Sequence, residues 1–272
     1  MNQSYRVDKV LVSALLLLSL SWGAIGQTPS QSPANNEYQT GAVLWMQASG
    51  ERAALSYQAF ALARMVLDRD LRSSRTRMRR ALVVDIDETI MDNSRYQAWL
   101  IKNHQSFNDQ TWLTWVNRAE ATAIPGAVEF LNYANSRGVR VFYITNRKVA
   151  EQEGTATNLR KLGFPNVNDE TLLMRTDTKS SSKEPRRQSV SAEYRIVLLM
   201  GDNLNDFSDV FEKARTVTAR MTVTDQNKAM FGTRFIVLPN PMYGDWDNAI
   251  YDYNSKLSEE EKAGKRKAIL KD

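Results

Sequence analysis

The chain has 272 residues, 42% hydrophobic and 25% charged, ordinary proportions for a folded protein and far from those of a disordered one. With no cysteine and one histidine, His104, it cannot build disulfides, cysteine-ligated zinc, iron–sulfur clusters, a cysteine nucleophile, a lipid anchor on cysteine or a multi-histidine metal site. A formal net charge of +5 favours anionic substrates but is too small to point to nucleic acid.

Arg6 and Lys9 precede an apolar run from Val10 to Leu20, and Gly23-Ala24-Ile25-Gly26 follows. This is the layout of a signal peptide over residues 1–26, cleaved after Gly26. The run is shorter than the ~20 apolar residues of a membrane span, with an uncleaved anchor as the other reading. Residues 27–40, rich in Ser, Pro, Asn and Gln, read as a flexible leader. The working protein is therefore expected to be periplasmic or secreted.

From Gly41 to Leu71 the pattern is helical, with a break near Gly50; Leu44, Ala48, Leu55, Ala59, Leu62 and Val66 are the expected core stripe. Arg72, Arg75, Arg77, Arg79 and Arg80 crowd the next connection, a solvated loop or a polyanion-binding patch. Four short apolar runs then read as buried strands: Ala81 to Val84, Val139 to Ile144, Arg195 to Met200 and Phe235 to Leu238. Helical stretches lie between them, among them Pro125 to Gly138, Lys148 to Leu162 and Asp206 to Ala214. The alternation predicts an α/β fold with a Rossmann-like parallel sheet flanked by helices. An insert at about residues 92–124, carrying Tyr96, Trp99, Phe107, Trp112 and Trp115, predicts a smaller helical cap. The main domain spans residues 41–257, and residues 258–272 form a terminal helix opened by the Ser258/Glu261 capping-box spacing.

Each strand hands over to polar residues at its carboxyl end, where open α/β sheets bind ligands. The first ends at Asp85-Ile86-Asp87-Glu88-Thr89. Two carboxylates this close to a buried strand repel one another unless a cation or proton intervenes. Paired carboxyls in different surroundings can divide nucleophilic and acid–base work. Gly201-Asp202-Asn203-Leu204-Asn205-Asp206 adds acids after another strand, which suits Mg²⁺, although Asp and Asn are also common helix caps. Thr145-Asn146-Arg147 supplies a hydroxyl and an amide that can bind phosphoryl oxygens, or cap a helix. Lys183 supplies a cation, with Lys179 as a competing candidate.

Asp-x-Asp-x-Thr after a strand, followed by Thr-Asn-Arg, a lysine and Gly-Asp-Asn, resembles the haloacid-dehalogenase (HAD) superfamily of aspartyl phosphotransferases. The stretches from Asp85 to Ser94, Pro125 to Phe130, Ile144 to Lys148 and Gly201 to Leu204 resemble the bacterial class C acid phosphatases, which include the lipoprotein acid phosphatase/5′-nucleotidase type. The resemblance runs from about Gly41 to Tyr253. It implies a HAD fold and hydrolysis of phosphate monoesters, nucleoside 5′-monophosphates among them, through a phosphoaspartyl intermediate. Asp85 would be the nucleophile and Asp87 the acid–base group. Mg²⁺ would be held by Asp85, Asp202 and the Asp87 carbonyl, with Asp206 in or beside its shell. Thr145, Asn146 and Lys183 would bind the phosphoryl group, and Trp112 and Tyr243 would grip a base.

Two positions depart from the pattern. Asn205 stands where the family commonly has Asp, which would remove a charge near the metal. No lipid-attachment cysteine follows the signal segment, so no stable membrane anchor is expected after cleavage. Small phosphate monoesters are the expected partners and nucleic acid is not; a homodimer is compatible with the sequence. The competing readings are a phosphotransferase using an alcohol acceptor and a non-catalytic binding protein on the same fold. An aspartic acid with an ordinary pKa of about 3.9 as proton donor implies an acidic optimum.

Overall fold

The computed structural model describes Met1 and residues 36–73 and 78–271. The expected signal segment beyond Met1, most of the leader, and Arg75 and Arg77 lie outside the described residues. Among the described residues no helix is long and apolar enough to cross a membrane. Where the leader was expected to continue, Glu37–Gln39 form a 3-10 turn. Asn36 Nδ2 donates to the Gln105 carbonyl at 3.0 Å and Gln39 Nε2 to the Met242 carbonyl at 3.1 Å, so this stretch is tied to the body.

Helices α1 (Thr40–Ala48) and α2 (Gly50–Leu71) meet at Ser49, whose side chain caps α2 by accepting from Arg52 N. The break falls as expected, but the buried face does not. Leu44, Leu55 and Leu62 are exposed, while Val43, Met46, Arg52, Ser56, Phe60, Ala63 and Leu67 face inward. Two polar residues mark the true stripe. Arg52 donates to Asp92 at 2.8 Å in a buried ion pair, and Ser56 donates to the Arg52 carbonyl. A reading by hydrophobicity rejects such positions, although a polar group with a partner is readily buried.

Strand β1 (Arg80–Val84) leads into a short antiparallel ribbon of β2 (Met91–Asp92) and β3 (Thr122–Ala123), which brackets α3 (Ser94–Lys102) and α4 (Asp109–Arg118). These two helices are the expected insert. Tyr96 sits among its rings, with centroids of Trp112, Trp99, Trp115 and Phe107 at 5.2 to 6.4 Å. Its buried aromatics are continuous with the main core, not a separate one.

Then follow α5 (Ala127–Ser136), β4 (Arg140–Lys148), α6 (Gln152–Leu162), β5 (Leu172–Arg175), α7 (Glu184–Glu193) and β6 (Arg195–Gly201). The chain closes with α8 (Asp209–Glu212), α9 (Val217–Gln226), β7 (Phe235–Val237), α10 (Asp245–Ile250) and α11 (Glu259–Ile269). The main sheet is wholly parallel in the order β5-β4-β1-β6-β7, so the α/β, Rossmann-like expectation holds. β5 is a strand the sequence reading did not identify. β4 runs four residues past its expected end, carrying Thr145-Asn146-Arg147 in its extension.

Both faces of the sheet are covered. Leu82 and Val84 of β1 join the core packed by α2 and α5, whereas Ala81 and Val83 join the core packed by Val190 of α7 and Phe211 of α8. Burial on both faces explains why these strands read as unbroken apolar runs. The β1–β6 register slips between Ala81 and Leu82, leaving Val197 as an extra residue on β6. After β5 the chain returns to the other side of β1 to form β6. The carboxyl ends of β1 and β6 therefore meet at the reversal of strand order, where such sheets hold ligands.

Candidate active site

The carboxyl ends of β1, β4 and β6, together with the insert and the loop after β7, line a cavity of about 680 Å³. Asp85, Asp87, Asn146, Lys183, Asp202 and Asp206 contribute to its wall, and Phe107, Trp112 and Tyr243 add aromatic surface. Eight of the nine residues singled out from sequence thus share one cavity. Thr145 does not line it; that side chain is fully buried, and its hydroxyl accepts from Arg147 N at 3.1 Å.

Lys183 stands at the N-terminal cap of α7, where the helix dipole disfavours a cation. Carboxylates hold it there. Its ammonium donates to Asp85 Oδ1 and pairs with Asp206 Oδ1 at 2.6 Å, and its side chain is 6% exposed. Lys179, the competitor, is exposed, and its backbone N donates to Asp177 at 2.8 Å. Asp206 ends a 3-10 turn, Leu204–Asp206, and accepts from Asn203 N at 3.0 Å. Arg187 of α7 fixes that turn by donating to the carbonyls of Asn205 and Asp206, both at 3.0 Å.

Asp202 completes the acidic group. Its Oδ2 accepts from Asn240 Nδ2 at 2.8 Å, and Thr89 Oγ1 lies 3.2 Å from its Oδ1 and 3.3 Å from Asp85 Oδ2. Asp85, Asp202 and Asp206 each offer an oxygen, all within 4.8 Å of one another. Burial pushes the Asp85 carboxyl up to about 7, with Asp206 and Asp87 adding to the rise and Lys183 opposing it. Burial, Asp206 and Asp85 likewise hold Asp202 well above the usual carboxylate range. One lysine does not neutralise three clustered carboxylates, two of them buried and that of Asp202 half-buried. Hard oxygen donors in this number and spacing could hold a divalent cation, which would reverse both shifts.

Asp87 belongs to a different set of contacts. Its Oδ1 accepts from Arg147 Nη2 at 2.7 Å, Arg147 Nε at 3.1 Å and Asn93 Nδ2 at 2.9 Å. Its carboxylate is outside the three-acid group. Arg147 is nearly sealed, its guanidinium donating to Thr155 Oγ1 at 3.0 Å and lying 5.2 Å from the Trp112 ring centroid. Arg147 and Asn93 were within reach of the sequence, in Thr-Asn-Arg and in the run after Asp87, but nothing local showed that they converge.

Glu88 is a third residue the sequence left without a role. It is fully buried at a φ of 56° and accepts from Asn93 N at 2.8 Å and from the Tyr243 hydroxyl. Burial, with Asp87 and Asp202 nearby, raises its carboxyl well above the usual range. Asn146 Oδ1 accepts from Arg186 Nη2 at 2.9 Å. Asn205 turns away from the acids: its amide donates to Asp245 Oδ2 at 2.7 Å and its oxygen accepts from Arg220 at 3.1 Å. An aspartate there would face Asp245, so the amide suits this environment. His104 is exposed in the insert.

The family model for the HAD superfamily, subfamily IIIB (acid phosphatase) matches residues 18–246. Among solved structures, the chain is similar to the class C acid phosphatase from Bacillus anthracis with tungstate bound, 42% identical with a TM-score of 0.83, covering 88% of this chain and 98% of that one. Another structure of the class C acid phosphatase from Bacillus anthracis gives 42% identity, a TM-score of 0.82, and 86% and 97% coverage. Among curated proteins it resembles a stem 31 kDa glycoprotein of Glycine max, 27% identical over 59% of this chain, and acid phosphatase 1 of Solanum lycopersicum, 26% identical over 59%. The chain spans 58% and 57% of the length of those two relatives. The chain belongs to the HAD superfamily, subfamily IIIB, a family of acid phosphatases and thus of phosphoric monoester hydrolases.

Proposed function

We propose that this protein is an exported, Mg²⁺-dependent acid phosphatase that hydrolyses nucleoside 5′-monophosphates and other phosphate monoesters through a phosphoaspartyl intermediate on Asp85. The observation that carries the reading is Lys183 lodged between Asp85 and Asp206, with Asp202 completing three carboxylates at one cavity wall. Asp85, Asp202 and Asp206, with the Asp87 carbonyl, would hold the cation, which when bound supplies Lewis-acid charge for phosphoryl transfer. The tungstate bound to the Bacillus anthracis enzyme supports the reading, because tungstate is a tetrahedral oxyanion like phosphate. Export rests on the N-terminal signal layout.

In the first step an Asp85 carboxylate oxygen attacks phosphorus while the ester P–O bond breaks. Lys183 donates to Asp85 and lowers its repulsion for the incoming dianion. Asp87 gives its proton to the leaving oxygen, a contribution of roughly 10²–10⁴-fold for a poor leaving group. In the second step water attacks the acyl phosphate and returns a proton to Asp87. Inorganic phosphate leaves, and Asp85 is restored. Asn146, whose oxygen is held by Arg186, would bind a phosphoryl oxygen through its amide N–H, and Thr145 would support that strand end from within.

The cavity volume of about 680 Å³ suits a nucleotide. Trp112 and Tyr243 contribute to its wall, Trp112 mostly buried against Arg147 and Tyr96; stacking on an aromatic ring accepts any base, so weak base preference is expected. Phosphate release from nucleotides, sugar phosphates and aryl phosphates, with and without EDTA, tests the whole reading. Asp85→Asn should abolish turnover, and substantial residual activity would remove Asp85 from its role.

A further inference from the structure

The two oxygens of Asp87 are not equivalent. Oδ1 takes three N–H donors, at 2.7, 3.1 and 2.9 Å, whereas Oδ2 takes one, from Arg147 Nε at 3.2 Å. A protonated carboxyl keeps one oxygen as acceptor and carries hydrogen on the other. Resting on the reading of Asp87 as the proton donor, we infer that Arg147 and Asn93 are positioning residues that hold its Oδ1 and thereby assign the transferred proton to Oδ2.

Both donors are themselves fixed. The Arg147 side chain is 2% exposed, bonded to Thr155 and lying over Trp112. Asn93 is fully buried; Trp115 Nε1 donates to its Oδ1 at 2.9 Å, and its backbone N donates to Glu88 at 2.8 Å. Trp112 and Trp115 belong to α4 and Asn93 immediately precedes α3, so the helical insert orients the acid–base group as well as covering the cavity. Replacing a clamp of rigid, buried donors by a flexible one moves the reacting oxygen, and a misplacement of about 1 Å is enough to cost about 10²-fold in rate.

The proton balance follows the same oxygens. Oδ2–H gives its proton to the ester oxygen as the P–O bond breaks, and the alcohol leaves neutral. The carboxylate formed is bound at Oδ1 by the Arg147 guanidinium and the Asn93 amide. The attacking water then gives its proton to Oδ2 as the acyl phosphate is cleaved. Neither Arg147 nor Asn93 exchanges a proton with the substrate.

Leaving-group dependence reads this role directly. The measurement is kcat/KM on p-nitrophenyl phosphate, which needs little acid assistance, against ethyl phosphate, which needs it fully. Arg147→Lys keeps the charge but loses the planar fork, and Asn93→Ser removes the amide donor while leaving the guanidinium pair in place. Each should lower kcat/KM on ethyl phosphate at least about 10-fold more than on p-nitrophenyl phosphate, in the direction set by Asp87→Asn. Equal losses on both substrates in the two variants, with Asp87→Asn still discriminating, would overturn the positioning role and leave Asp87 as the acid. Equal losses in Asp87→Asn itself would remove Asp87 as the acid and the inference with it. Where Arg147→Lys does not fold, Asn93→Ser decides by the same comparison, its remaining p-nitrophenyl phosphate turnover reporting a folded site.

Discussion

A β-carbon on Gly201 would collide with Oδ2 of Asp206, so the last residue of β6 and the acid that pairs with Lys183 are in direct contact. The Asp206 side chain has little freedom to yield, because Asn203 N and Lys183 hold its two oxygens. Gly201→Ala should therefore leave the sheet intact but displace Asp206. Phosphatase activity is expected to fall at least about 10-fold, in line with loss of an electrostatic partner. The far-UV circular dichroism should be unchanged. Full activity in that variant would mean that Asp206 can move without consequence.

Crowding among Asp85, Asp202 and Asp206 predicts that a divalent cation stabilises the folded chain whether or not substrate is present. At 100-fold excess over Kd the linkage is about 2.7 kcal/mol. For a protein of this size that is a Tm rise of roughly 5–10 °C. Thermal melts with Mg²⁺, then with excess EDTA, should show the rise and its reversal. Asp202→Asn should remove most of it. A Tm insensitive to Mg²⁺, Mn²⁺ and EDTA would contradict the metal site.

Asp70 supplies a pH prediction away from the cavity. It closes α2 and accepts from Arg80 Nε at 2.6 Å and from Arg195, tying the helix end to the starts of β1 and β6. Partial burial works to raise its carboxyl, but hydrogen bonds from Arg195 and Arg80 outweigh this and hold it below the ordinary value. A depressed carboxyl contributes stability above its unfolded pKa of about 3.9 and loses it as pH falls through the folded value. Asp70→Asn should cost about 1–2 kcal/mol at pH 7, allowing for the partly wet carboxylate. The Tm gap to the parent chain should close as the pH drops below about 4. A gap that persists unchanged into acid would show that packing, not charge, fastens this corner.

The legibility of the molecule in its sequence follows the range of the interactions. Val83-Val84-Asp85 and Met200-Gly201-Asp202 were readable because an apolar strand ended at an acid within a few residues. Leu172–Arg175 was not, because four residues without a β-branched side chain or a terminal motif carry little strand signal. The face of α2 was misread because Arg52 and Ser56 lie on its core side with partners, one of them 40 positions away. The nine candidate site residues were legible as types at strand ends. Their division of labour was not. Arg147 reaches Asp87 across 60 positions, and Tyr243 reaches Glu88 across 155, distances over which no local pattern operates.

Tyr243 offers the sharpest test of nucleotide recognition, because its ring and its hydroxyl do different work. Tyr243 lines the cavity, and its hydroxyl donates to the buried Glu88. Tyr243→Phe keeps the stacking face and removes one donor from a buried carboxyl, so it should lower stability by about 1–3 kcal/mol with nucleotide KM nearly unchanged. Tyr243→Ala removes the stacking face as well. A stacked base is worth about 1–3 kcal/mol, so nucleotide KM should rise about 5- to 150-fold, whereas KM for ethyl phosphate, which has no base, should move little. Comparing KM for the two substrates in both variants separates binding from folding. If Tyr243→Ala shifts both substrates equally, the tyrosine braces Glu88 and the base has no seat on it.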